Sequence, residues 1–231
     1  MDKFSAQILF EDNHLLVINK KAGQLSQPDG SPRPDLKSLA RDYLKQKYGK
    51  PGDAFVGIVH RLDRPVTGVV ILAKTSKATS RLNESQRLGQ WEKRYRLAVP
   101  GILPESGTWK DKLVKKDGKA VIAPEDGKMS ELSFQRLKTA GNISLAEVFL
   151  VTGRYHQIRA QFSSRGFPVW GDSDYGFDGA ARQATQKEKP NKKIDDSRKI
   201  ALHCHSIKIP HPVTKEMTRF TAPIPDSFPI R

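Results

Sequence analysis

Short β-rich runs separated by polar turns recur along this chain, and they come in pairs. Ile8-Leu9-Phe10 and Leu15-Leu16-Val17-Ile18 flank the polar turn Glu11-Asp12-Asn13-His14. Ser130–Lys138 and Ile143–Val151 flank Thr139-Ala140-Gly141-Asn142, and Trp109–Val121 reads as a basic hairpin. Runs of β-branched and aromatic residues bounded by Gly, Pro, Asn and Asp are strand signals, and a short turn between two of them implies a hairpin. Further strands are predicted over Phe55–Val59, the fully apolar Val69–Ala73, Lys93–Val99 and Ile200–Ile209, with Arg219–Pro225 extended. Helical spacing is rarer. Leu36, Leu39, Ala40, Tyr43 and Leu44 place a helix over Asp35–Tyr48 with Asp35 at its N-cap. Thr75 or Ser76 caps a second helix to about Leu88, and Tyr155–Ser163 reads as a third. Strands outnumber helices, so the predicted class is α+β with a mixed, largely antiparallel β-sheet.

At 231 residues and 37% hydrophobic, the chain has ample length for a core, and a single domain over residues 1–231 is expected. There is no apolar run of membrane-spanning length, and Met1–Phe10 lacks the basic start and apolar segment of a signal peptide. No membrane partner is expected. Cys204 is the one cysteine, so an internal disulfide is excluded and a reducing cytoplasm is the expected location. The net charge of +15 calls for an anionic partner, and nucleic acid is the first candidate because phosphate neutralisation dominates such affinities. Lys187, Lys189, Lys192, Lys193, Arg198 and Lys199 crowd the polar stretch 178–199, which is expected to be a long, mobile, basic surface loop.

Three segments carry candidate chemistry. In His60-Arg61-Leu62-Asp63-Arg64-Pro65-Val66-Thr67-Gly68 a carboxylate sits between two arginines at a turn before an apolar strand. Flanking cations would hold Asp63 ionised as a nucleophile or acid/base group. The competing reading is a turn in which Asp63 caps backbone and pairs with Arg61 or Arg64. In Thr152-Gly153-Arg154-Tyr155-His156-Gln157-Ile158-Arg159 a strand ends and a helix begins among cations, an arrangement that suits phosphate or carboxylate. Ordinary surface charge is the alternative. In Lys93-Arg94-Tyr95-Arg96 the phenol is placed to stack on a base or move a proton, or is an ordinary strand tyrosine. His203, His205 and His211 invite a metal reading, but zinc-site spacing is absent and no metal is expected.

Taken together, these segments resemble the RluA-type pseudouridine synthases. The family pattern His-Arg-Leu-Asp, two residues, Thr-Ser-Gly and an apolar strand ending Ala-Lys is similar to His60 through Lys74, with Val66-Thr67 in place of Thr-Ser. Lys93-Arg94-Tyr95 resembles its tyrosine motif, and Gly153–Arg159 resembles Gly-Arg-x-His-Gln-Ile-Arg. Asn19-Lys20-Lys21-Ala22-Gly23, Gly171-Asp172 with Tyr175-Gly176, and Ala201-Leu202-His203 extend the likeness over residues 8 to 225. The resemblance implies a sheet with helices and loops around a cleft, without the extra S4 module of some relatives. It implies isomerisation of uridine to pseudouridine in ribosomal or transfer RNA, with no cofactor and no metal. Asp63 would act at ribose C1′, by forming a glycal, or by addition to uracil C6. Arg154 would pair with the aspartate, Tyr95 would stack on the base and help remove the C5 proton, and Arg61 would fill the space left by the flipped base. His60, Arg64, Thr67, His156, Gln157, Ile158 and Arg159 would bind substrate, Ile158 as a wall of the base pocket or as core. A non-catalytic RNA-binding protein on the same scaffold is the alternative, and a monomer is the default expectation.

Overall fold

A computed structural model describes residues 4–49, 51–177 and 199–230. The chain forms two compact units. One takes residues up to Lys93 and then Cys204–Pro223, and the other takes Arg94–His203 and the tail from Ile224.

In the first unit, β1 (Ile8–Glu11) and β2 (Leu15–Lys20) form an antiparallel hairpin. Asp12 makes the turn by accepting the backbone N–H groups of His14 and Leu15 on Oδ1 at 2.7 and 2.6 Å. β2 then pairs antiparallel with β4 (Thr67–Ala73), from Leu15 opposite Ala73 to Lys20 opposite Gly68. Val69 to Ala73 are all fully buried, which is why that run has no polar side. β10 (Leu202–Pro210) is the next strand after β4, and β11 (Met217–Thr221) pairs antiparallel with β10. Gly68 permits the close approach of β10: its φ is +112°, and a Cβ there would lie 2.2 Å from the Cys204 carbonyl oxygen.

The helices of this unit begin where side-chain caps allow. Asp35 accepts the Ser38 N–H at 3.0 Å and starts α1 (Leu36–Lys47), whose Leu36, Ala40 and Leu44 are buried. Thr75 accepts the Ala78 N–H at 3.1 Å and starts α2 (Ser76–Arg87), which buries Ala78, Leu82 and Ser85. Such caps contribute about 1 kcal/mol each. The C-terminal end of α1 is tied to the sheet through Glu11, which accepts Tyr43 Oη, Lys47 Nζ and Tyr48 Oη at 2.8 Å each and Lys74 Nζ at 2.9 Å. The strand expected over Phe55–Val59 shortens to β3 (Gly57–Ile58), because only these two residues find partners on β4.

The second unit holds β5 (Glu92–Pro100, whose first two residues belong to the first unit), β6 (Ser106–Lys116), β7 (Lys119–Ile122), β8 (Lys128–Ala140) and β9 (Ile143–Leu150). Their order is β5-β9-β8-β6-β7, and β6–β7, β6–β8 and β8–β9 are antiparallel. Asp117 and Gly118, with φ of 47° and 75°, close the β6–β7 hairpin in the left-handed geometry such two-residue turns require. α3 (Gln157–Ser163) packs Phe162 against Trp109 of β6 and Phe134 of β8, with ring centroids 4.6 and 5.6 Å away. A second cluster joins Ala98, Ile143, Leu145 and Ala201 to Phe228 and Ile230 of the tail.

The α+β class and largely antiparallel pairing are those expected from the sequence. α3 starts two residues later than expected, because His156 has φ +48° and cannot continue a helix backwards. Apart from Lys199, the basic stretch 178–199 lies outside the described residues.

Candidate active site

His60, Arg61, Asp63 and Arg64 fall in the first unit on the loop between β3 and β4, and Thr67 is the first residue of β4. The Val66 N–H bonds back to the Asp63 carbonyl at 3.0 Å, so the residues around Asp63 form a tight turn. That turn is anchored on both sides. Upstream, Ser26 Oγ donates to the Leu62 carbonyl at 2.9 Å and accepts the Leu62 N–H at 3.1 Å. Downstream, Lys20 is fully buried, and its ammonium donates to the carbonyls of Val66, Arg64 and Lys21 at 2.7, 3.0 and 3.1 Å. The Gly23 N–H also donates to the Arg64 carbonyl, at 2.9 Å. Asp63 itself is half-buried and Arg61 is exposed.

Burial pushes Lys20 down to about 7, although the Asp63 carboxylate favours its charged form; Arg64 opposes it. The Lys20 side chain thus anchors the loop that carries the candidate carboxylate, its nitrogen hydrogen-bonded to three carbonyls. His60, expected to bind substrate, is occupied by the fold. Its Nε2 accepts the Ile71 N–H at 2.9 Å, its ring meets Trp91 edge-on at 5.5 Å, and burial and then Lys93 push its pKa down to about 3. It is a neutral imidazole locking the loop to β4.

Tyr95 lies on β5 and is 8% exposed. The cations beside it in sequence point elsewhere. Strand alternation sends Arg94 and Arg96 to the other face, where they meet Glu147 of β9 at 3.6 and 3.0 Å.

Arg154, His156, Gln157, Ile158 and Arg159 fall with Tyr95 in the second unit. The loop before α3 is organised by Gln157, whose Oε1 accepts the Arg154 N–H at 3.0 Å and the Thr152 hydroxyl at 2.8 Å. Gln157 Nε2 donates to the Glu131 carbonyl at 3.1 Å. This places Arg154 in solvent, with its Nε on the Met129 carbonyl at 3.1 Å. Arg159 is only 2% exposed and grips Asp172 bidentately at 2.6 and 2.8 Å, with Asp174 at 3.1 Å. His156 is pushed down to about 3 by burial, then by Arg159, and its Nδ1 meets Tyr175 Oη at 3.0 Å.

Gln157 and Arg159, expected among the substrate contacts, are buried and hydrogen-bonded within the fold, and Ile158, expected as a pocket wall or as core, is buried as well. The physical reason is that six of the seven residues of α3, Gln157 to Phe162, are buried, so polar atoms there must find internal partners. Sequence reasoning missed Lys20, Ser26, Asp172 and Tyr175 as site-building residues. The signals for Lys20, Asp172 and Tyr175 were their places in the stretches that extend the family likeness. Among the described residues there is no group of three or more His, Cys, Asp or Glu side chains suited to a metal ion.

A family model described as RNA pseudouridylate synthase matches residues 14–164, which include Asp63, Tyr95 and Arg154. An uncharacterised RNA pseudouridine synthase of Chloroflexus aurantiacus is 32% identical, over 92% of this chain and 64% of its own length. Ribosomal large subunit pseudouridine synthase D of Zymomonas mobilis is 30% identical, over 96% of this chain and 70% of its own. The chain therefore spans about two thirds of the length of these relatives. Among solved structures, the human RNA pseudouridylate synthase domain containing 4 superposes with a TM-score of 0.77 at 23% identity, over 97% of this chain and 91% of that one, a likeness of fold. With an anchored aspartate turn at the position of the family motif, the chain belongs to the RNA pseudouridylate synthase family, a family of isomerases.

Proposed function

We propose that this chain isomerises specific uridines in ribosomal RNA to pseudouridine, with Asp63 as the reacting carboxylate. The observation that carries this reading is the Asp63 turn, whose backbone is held by Lys20 and Ser26, with Asp63 and Arg64 half-buried and Arg61 exposed. Ribosomal RNA is favoured over transfer RNA because the similar proteins of Zymomonas mobilis and Haemophilus influenzae are named ribosomal large subunit pseudouridine synthases. The charge of +15 supports a polyanionic substrate, and the single, buried Cys204 supports a reducing cytoplasm.

The chemistry is an isomerisation with no net loss of atoms. The C1′–N1 bond breaks, the uracil turns, a C1′–C5 bond forms, the C5 proton leaves and N1 takes one up. Asp63 acts at C1′ as nucleophile or removes the neighbouring sugar proton, and either step needs it ionised. The arginines beside it in sequence favour that state. Tyr95 stacks on the uracil and takes part in removal of the C5 proton, and Arg154 supplies positive charge to the reacting groups. A paired uridine must first leave its stack, at a cost of a few kcal/mol, and Arg61, exposed at the rim of the turn, is placed to occupy the vacated position. Arg64 on the same loop and Thr67 at the start of β4 bind the substrate backbone. His60, His156, Gln157 and Arg159 hold the two loops in shape.

Purified protein incubated with large-subunit ribosomal RNA carrying tritium at uridine C5 should release tritium to water. Transfer RNA run in parallel decides the substrate class, and release from neither RNA would refute the proposal.

A further inference from the structure

Beside Arg154 in the second unit lies an open cleft of about 450 Å³. Three cations line it, Lys115 on β6, Lys128 at the start of β8 and Arg154 itself, together with Leu113, Asp126 and the ring of Tyr155. Tyr155 is 40% exposed yet firmly placed. Its hydroxyl donates to the Gly118 carbonyl in the hairpin turn at 2.8 Å, and one face of its ring stacks on His156 at 3.8 Å and 17°. The Lys115 ammonium lies over the ring at 4.9 Å.

We propose that this cleft is a subsite for one single-stranded nucleotide flanking the target uridine, an inference that rests on the substrate being RNA. Its volume falls in the range of small-molecule sites. A fixed aromatic ring ringed by cations is the arrangement that holds single strands, the ring stacking on a base and the cations meeting phosphates. The base occupies the face of Tyr155 over which Lys115 now lies, and the Lys115 ammonium moves to the phosphate. Asp126 offers an acceptor to base N–H groups. Position 155 is the variable residue of the Gly-Arg-x-His-Gln-Ile-Arg motif, so the subsite is a property of this chain's own sequence and sets which neighbours of the uridine are accepted.

The test is binding of fluorescein-labelled decauridylate to the intact chain, read by anisotropy. Tyr155→Leu should weaken binding at least about fivefold, and Tyr155→Phe, which keeps the ring, should stay within about twofold of the parent. Lys128→Ala should make the slope of log affinity against log salt shallower by about 0.7, the loss of one single-strand phosphate contact. A decamer carrying 5-iodouridine should photocrosslink to Tyr155. Parental binding by Tyr155→Leu, equal losses in the Phe and Leu variants, an unchanged salt slope in Lys128→Ala, or crosslinks only elsewhere would each overturn the subsite. Tritium release by the parent protein is scored separately. Release with no Tyr155 effect refutes the subsite alone, and a Tyr155 effect without release refutes the catalytic reading alone.

Discussion

Replacing Lys20 by methionine changes how stability responds to alkaline pH. The Lys20 ammonium is fully buried against three backbone carbonyls, and burial pushes its pKa from 10.5 down to about 7, Asp63 acting in the opposite direction. In the unfolded chain it titrates near the ordinary lysine value. Between pH 7 and 10.5 the unfolded chain therefore binds a proton that the folded chain has released, and stability rises with pH through that window. One proton contributes about 1.4 kcal/mol per pH unit, and the whole window at most about 5 kcal/mol. Lys20→Met removes this term, while the other lysines and tyrosines titrate in both proteins, so the difference isolates Lys20. At pH 7 the substitution also takes the 2.7 Å donor from the Val66 carbonyl, whereas the Arg64 carbonyl keeps the Gly23 N–H. Urea denaturation of both proteins at pH 7, 8 and 9 should show the parent gaining on the variant by about 1 kcal/mol per pH unit. Parallel curves would refute the placement of a buried, titrating lysine beneath the Asp63 turn.

Three further substitutions test the frame around the site. Burial alone would raise the pKa of Glu11, but its bonds to Lys47, Lys74, Tyr48 and Tyr43 outweigh that and bring it down to about 2. Its contribution is thus present above the unfolded value of 4.5 and lost as pH falls toward 2. Glu11→Gln should cost about 1–2 kcal/mol at pH 7 after screening, with a flatter acid limb in urea titrations, and an unchanged acid limb would contradict this. Asp172→Ala leaves the buried Arg159 guanidinium without its bidentate partner and should cost about 3–5 kcal/mol by urea denaturation, against less than 1 if the pair is idle. Gly68→Ala places a Cβ 2.2 Å from the Cys204 carbonyl oxygen at φ +112° and should cost on the order of 3 kcal/mol or more, so a melting temperature equal to the parent's would refute the close approach.

What could be read from the sequence was local. Asp35 and Thr75 cap helices because a cap needs only a side chain and the three residues after it. The apolar run Val69–Ala73 is a strand because nothing in it tolerates water, and Asp117-Gly118 falls inside the hairpin predicted over Trp109–Val121. What could not be read depends on partners far along the chain. Lys20 is buried because carbonyls 44 and 46 residues away take its protons. Arg159 looks like a surface cation until Asp172 closes on it. Tyr95 looks surrounded by positive charge until strand alternation and Glu147 remove Arg94 and Arg96 to the other face. The division into two units depends on the chain returning to the first at Cys204 and to the second at Ile224, which no local pattern announces. The Asp63 motif was legible as a place; its anchoring from beneath was not.

The central claim is that Asp63 performs the chemistry, and Asp63→Asn tests it most directly. The variant and the parent are incubated with large-subunit ribosomal RNA labelled with tritium at uridine C5, and their affinities for the same RNA are measured. Tritium release should fall by at least about a thousandfold, in the range expected for removal of a reacting group, with RNA affinity within a few fold of the parent. Release at the parental rate would contradict it.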